Sequence, residues 1–195
     1  LAKISCFDNN LTSLDLSSNT ALTKLECFDN NLTSLDVSNN TALTELNCNA
    51  NAITSLDLSK NTALTKLYCG GNELTSLDLS NNTALKDWII DFHISKIELT
   101  DNTFDLSTLP AGFDISKTSE WTNGTVKGNI LTVEDASEWV TYKYDCGNGH
   151  SETFTLIPQI EETPVETTTA TTTVTTTTTT TAPETTTTAT TTVTT

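Results

Sequence analysis

Cysteines fall at Cys6, Cys27, Cys48 and Cys69, each 21 residues after the last. Thiols held at a fixed spacing have three chemistries open to them: crosslinking, zinc binding and nucleophilic attack. An aspartate column, Asp15, Asp36, Asp57 and Asp78, keeps the same step and raises the possibility of calcium. Two histidines, His93 and His150, complete the set of groups that could titrate near neutrality or hold a metal. Which of these chemistries survives depends on how the chain positions the columns.

The apolar residues repeat with the same period. Leu1, Leu22, Leu43, Leu64 and Leu85 form one column, Ile4, Leu25, Leu46, Leu67 and Trp88 a second, and Leu11, Leu32, Ile53 and Leu74 a third. Two asparagine columns accompany them, Asn9, Asn30, Asn51 and Asn72, and Asn19, Asn40, Asn61 and Asn82. The unit is LxxLxCxxNxLxxLDLSxNTA. In the fifth unit Ile90 takes the cysteine place, and Ile94, Ile97, Leu99 and Asn102 then recover the pattern one residue early. A single unit of this length cannot bury enough apolar surface to offset its ordering entropy. Stacked units cover one another, so the period predicts a solenoid with coils about 4.8 Å apart.

Stacking decides the cysteine chemistry. Equivalent side chains on successive coils point the same way, and their Cβ atoms stand farther apart than the ~3.5 to 4.5 Å of a disulfide. Four sulfurs in a straight ladder cannot converge on one tetrahedral ion. The expectation is reduced thiols that fill a narrow part of the core. Cys146 lies beyond the repeats and makes the total of five odd, which leaves no disulfide framework, and alkylation of the folded chain is expected to label at most Cys146. The aspartates lie in the step LDLS, where Asp and Ser bond local backbone, and no D-x-[DN]-x-[DN]-G loop occurs anywhere. Neither histidine has a nucleophile at a recognised spacing. No metal, no cofactor and no enzymatic activity are expected.

The motif L-x-x-L-x-C-x-x-N-x-L, repeated at 21 residues with cysteine at the third apolar place, resembles the bacterial leucine-rich repeat, and in particular the cysteine-bearing arrays of internalin-type surface proteins. The resemblance spans Leu1 to about Asn102. It implies short parallel strands on a concave side, an asparagine capping the turn that leaves each strand, and a secreted or cell-surface location. The implied fold class is a β-rich α/β-type solenoid, a parallel-strand array capped by a small antiparallel β module.

Three segments are expected. Residues 1–103 form the solenoid, and because the chain starts at Leu1 on an uncapped apolar face, this reads as an array truncated at its N-terminus. Residues 104–160 carry β signals, notably Ile130 to Val133 and the alternating WVTYKY from Trp139 to Tyr144, with a turn at Asp145 to Ser151. This segment resembles in role the immunoglobulin-like unit that abuts internalin arrays, although it lacks that fold's cysteine pair. Residues 161–195 are dominated by Thr and have no pattern that buries a face, which suggests a disordered linker, either O-glycosylated or bare. It resembles linkers in surface complexes of Gram-positive anaerobes, where a dockerin or wall anchor often follows.

Charge narrows the partners. The chain has 25 acidic residues against nine lysines, a formal net charge of −16, and it contains no arginine. Phosphate backbones are bound by Lys and Arg clusters, so no nucleic-acid partner is expected. No apolar run reaches the ~20 residues of a spanning helix, and no membrane insertion is expected within this chain. Within the repeats, the variable positions flank the strand centres: Lys3, Ser5, Phe7; Lys24, Glu26, Phe28; Glu45, Asn47, Asn49; Lys66, Tyr68, Gly70; Asp87, Ile89, Asp91. From these, Phe7, Lys24, Glu26, Phe28, Asn47, Tyr68 and Ile89 are the candidate contacts to a protein or glycan at a cell surface. The alternative is a structural spacer that displays another domain.

Overall fold

The structure is a computed structural model and describes residues 1–160; the Thr-rich segment lies outside the described residues. Five three-residue strands, β1 (Lys3–Ser5), β2 (Lys24–Glu26), β3 (Glu45–Asn47), β4 (Lys66–Tyr68) and β5 (Asp87–Ile89), form one parallel sheet in chain order. Each pairs with the residues 21 positions on, Ile4 with Leu25, Leu25 with Leu46, Leu46 with Leu67 and Leu67 with Trp88. The sequence period is therefore the strand register. The only helical segments among the described residues are two short 3-10 turns, Leu106–Thr108 and Ile115–Lys117. The architecture is a leucine-rich-repeat solenoid with an attached β module.

Leucines of the first two columns and the cysteines point inward. Leu22, Leu25, Leu43, Leu64 and Leu67 are fully buried, as are Cys27, Cys48 and Cys69. The ends of the array are less covered: Ile4 and Cys6 are partly exposed, and Trp88, in the second apolar column, is 39% exposed. Trp88 sits in register but has no following coil over it. Its indole meets the ring of His150 edge-on instead.

The asparagine columns staple coil to coil. The Oδ1 of Asn51 accepts the N–H of Leu32 at 3.0 Å, while its Nδ2 donates to the carbonyls of Cys27 and Cys48, both at 3.1 Å. Asn30 and Asn72 repeat this pattern with Leu11 and Ile53 as donors. One amide thus bonds two coils: it accepts an N–H that would otherwise be buried unpaired, and it shares each cysteine carbonyl with the asparagine of the neighbouring coil. In the second column, Asn40, Asn61 and Asn82 each donate to two carbonyls of the preceding coil.

One step beyond Asn72 in the first column stands His93, and there the array ends. An imidazole cannot present the amide's acceptor and paired donors together. His93 is buried, neither ring nitrogen has a hydrogen-bond partner, and the ring stacks on Phe154 at 5.2 Å. The strand it opens, β6 (His93–Leu99), holds the residues that recover the repeat spacing, yet it pairs in parallel with β12 (His150–Ile160) and leaves the ladder.

The rest of the module contains β7 (Thr103–Asp105), β8 (Thr118–Thr122), β9 (Gly124–Lys127), β10 (Ile130–Val133) and β11 (Val140–Gly147). One sheet has the order β6-β12-β11-β8 and the other β7-β10-β9. The β11–β12 hairpin turns more tightly than the sequence suggests, through Asn148 and Gly149 alone, both at positive φ as a two-residue hairpin loop requires. Its strands carry Tyr142, Tyr144 and Phe154 into the module core. The module also bonds the array: the Leu79 N–H donates to the Cys146 carbonyl at 2.7 Å, and the Tyr142 hydroxyl donates to the Thr75 carbonyl at 2.5 Å.

Candidate functional site

The strand alternation that buries Leu25, Leu46 and Leu67 turns their neighbours to the opposite face of the sheet. On this ladder face Lys24 contacts Glu26 at 3.0 Å and Glu45 at 3.4 Å, and Lys66 reaches Glu45 at 3.4 Å. Hydrogen bonding to Glu26 holds the Lys24 ammonium above its ordinary value. Loss of hydration works to raise Glu45, but the two lysines outweigh it and hold the carboxyl below the usual range. All four side chains are about a third exposed or more, so each pair contributes little to stability.

Farther along, the Tyr68 hydroxyl donates to Asp87, and that bond raises the phenol's pKa. Asn47 accepts the Asn49 N–H at 3.2 Å, which fixes its amide. Lys24, Glu26, Asn47 and Tyr68, with Glu45 and Lys66, line one shallow depression of ≈ 130 Å³. Beside it Phe7 and Phe28 stack at 4.5 Å between centroids, with Phe7 45% exposed. Ile89 lies opposite Tyr68 on β5 and is 46% exposed. Of the seven residues picked from sequence, four share the depression and the remaining three flank it. Glu45 and Lys66 belong with them, and both stand among the variable outward positions.

The thiols divide differently from the sequence expectation. Cys146 is fully buried, at the foot of the ladder near Cys69, while Cys6 is the partly exposed one. The expectation that alkylation of the folded chain labels at most Cys146 is therefore corrected. Strand alternation on β11 turns it inward beside Tyr144 and Tyr142. None of the five is in a disulfide. Burial pushes Cys27 and Cys146 up to about 12 and Cys48 and Cys69 higher than an ordinary thiol, so none of the four is a thiolate near neutrality.

The aspartate column bonds its own backbone. Asp15, Asp36, Asp57 and Asp78 each accept the N–H of the serine two residues on, at 2.9 to 3.0 Å. The same D-x-S turn recurs outside the repeats at Asp105, Asp114 and Asp135. Among the described residues no group of three or more His, Cys, Asp and Glu side chains could hold a metal ion. No helix among them is long and apolar enough to cross a membrane. Sequence reading missed an open cleft of ≈ 390 Å³ on the opposite side, where Asp57, Asp78 and Ser76 face the Ala111–Gly112 loop.

Register, inward cysteine ladder and asparagine staples together define a leucine-rich-repeat solenoid whose ladder face is open. No protein-family model and no curated protein matches the sequence. Among solved structures the chain is similar to the functional domain of InlJ from Listeria monocytogenes, described as including a cysteine ladder, at 20% identity and a TM-score of 0.45 over 82% of this chain. The chain spans 58% of that structure's length.

Proposed function

We propose that this chain is an extracellular or cell-surface recognition module that binds a protein or glycan through the concave, ladder face of its solenoid, without catalysis. The observation that carries the reading is the Phe7–Phe28 stack standing on that face beside a mixed-charge depression. Exposed aromatics next to fixed polar groups suit both ligand classes, because a ring face covers apolar surface while carboxylates and amides orient it. The domain layout that goes with it is a solenoid whose ladder ends at β5, a cap that begins where β6 (His93–Leu99) joins the module sheet, earlier than the boundary at 103 read from the sequence, and a Thr-rich linker from 161.

A second reading has its own support. Lys24, Glu26, Glu45 and Lys66 satisfy one another, and the two rings cover each other, as they would on a spacer that only displays a further domain. Retention on a glycan array and on bacterial or host surface extracts separates the two. Recognition predicts retention that Phe28→Ala weakens at least fivefold, the scale of an anchor residue. No retention by the intact chain, or retention indifferent to Phe28 and Tyr68, overturns the ladder-face reading.

A further inference from the structure

Strand β5 closes the ladder and pairs along one edge only, to β4. In earlier coils each strand passes its backbone bonds forward. The Cys48 N–H donates to the Tyr68 carbonyl and the Cys69 N–H to the Ile89 carbonyl, while the carbonyls of Thr23, Thr44 and Thr65 each accept two N–H groups of the next coil. The next members of these series are the Ile90 N–H and the Lys86 carbonyl, and among the described residues neither has a backbone partner. The module closes the array elsewhere, at Thr75 and Leu79.

The side chains break pattern at the same place. In β2, β3 and β4 the central leucine is buried, whereas in β5 all three residues are exposed, Trp88 and Ile89 among them. Phe92 follows, 76% exposed and at φ 60. It is the fifth of a left-handed turn column, Asp8, Asp29, Ala50, Gly71 and Phe92, and a bulky side chain is the least suited to that backbone. An unpaired strand edge flanked by Trp88, Ile89 and Phe92 is a template for another strand.

Charge specifies what would lie there. The ladder column is Lys3, Lys24, Glu45, Lys66, Asp87; its first two members share a sign, and from Lys24 onward it alternates, with Glu45 bridged from both sides. Asp87, at the end, receives the Tyr68 hydroxyl, and among the described residues it makes no ion pair. A cation at the next step would continue the alternation.

We propose that the free edge of β5 is a docking site for an extended segment of a partner protein, which adds as a sixth parallel strand with a basic residue opposite Asp87, an apolar residue opposite Ile89, and an apolar residue opposite Trp88 that takes the place of the His150 ring now edge-on to the indole. Main-chain bonds to Lys86 and Ile90 hold the segment, and the side-chain columns set its register. The site adjoins the proposed ladder-face contacts without resting on them, since it uses the sheet edge.

The test uses the full chain and a labelled octapeptide, STKVITTS, followed by fluorescence anisotropy. The expected result is saturable binding at least tenfold tighter than that of STEVITTS and of STKVITTS methylated on the lysine backbone nitrogen, with slowed hydrogen exchange at the Ile90 amide. Asp87→Lys should reverse the charge preference while its unfolding temperature stays near that of the parent, and Phe28→Ala should change neither affinity nor preference. Absence of saturable binding overturns the proposal, as does equal affinity for the lysine and glutamate peptides or for the methylated one. Concentration-dependent sedimentation that disappears in Asp87→Lys would assign the edge to a second copy of the chain and overturn it as well.

Discussion

The ring of Phe7 lies on that of Phe28 with the planes 6° from parallel, one coil apart. Equivalent residues on successive coils superpose, so the solenoid forces this geometry on any two aromatics placed 21 residues apart at an outward position. Their coupling should be measurable as stability. A double-mutant cycle with Phe7→Ala and Phe28→Ala is expected to give an interaction of about 0.5 to 1.5 kcal/mol, the usual worth of a stacked pair beyond its area. A value near zero would show that the rings move independently in solution.

Leu25, next but two to Phe28, carries the opposite expectation. It is fully buried in the middle of β2, and Leu25→Ala should cost about 2 to 5 kcal/mol through the cavity it leaves, with ligand retention unchanged in the fraction that stays folded. Urea melts of the two single variants decide the matter. If Leu25→Ala is no worse than Phe28→Ala, the assignment of inward and outward positions fails.

The asparagine staple gives a graded test. Asn51 accepts the Leu32 N–H, while the Cys27 and Cys48 carbonyls it also bonds keep Asn30 and Asn72 as donors, so Asn51→Ala strands one buried N–H and should cost about 1 to 3 kcal/mol. Asn9 donates only within its own exposed coil, and Asn9→Ala should stay within about 0.5 kcal/mol. Equal losses would mean that the amides stabilise their own turns and not the stacking.

Periodicity made the ladder legible because each coil repeats one environment, and a repeated environment selects a repeated residue. Register, inward cysteines and asparagine turns all followed from the step of 21. The module was less legible because its strands meet residues distant in sequence. The β6–β12 pairing joins His93 to Phe154, and no local pattern announces a parallel partner so far along the chain. Cys146, by contrast, follows a local pattern: it continues the inward alternation of Val140, Tyr142 and Tyr144, so extending WVTYKY by two residues places it in the core. The D-x-S turns were visible as a column in the repeats, but their reuse at Asp105, Asp114 and Asp135 shows that the signal is turn chemistry and not repeat identity.

Thiol accessibility checks the corrected order. Brief alkylation of the native chain should label Cys6 first and leave Cys27, Cys48, Cys69 and Cys146 unmodified, and denaturation should expose all five. Mass spectrometry that finds Cys146 modified as fast as Cys6 would show that the β11 strand detaches from the array in solution.

The last expectation concerns acid. Burial drives the His93 imidazole down to about 4, against 6.5 for a free histidine, with the nearby Asn72 carbonyl pulling weakly the other way. A base whose folded pKa is depressed takes up its proton more readily when unfolded. Its contribution to stability is therefore complete above pH 6.5 and is lost as the pH falls from 6.5 towards 4. A difference of about 2.5 units at 1.36 kcal/mol each makes the loss about 3 kcal/mol. The D-x-S aspartates act lower: serine hydrogen bonds hold Asp15, Asp36 and Asp78 below 3.8, so the stability they add is lost only as the pH falls below that value. Two acid phases should result, and His93→Phe, which keeps the stack on Phe154 without a titrating nitrogen, should abolish the upper one alone. Urea midpoints measured in half-unit steps from pH 8 to pH 3 test this. If the parent and His93→Phe lose stability in parallel between pH 6.5 and 4, His93 is not held neutral at the junction of array and module.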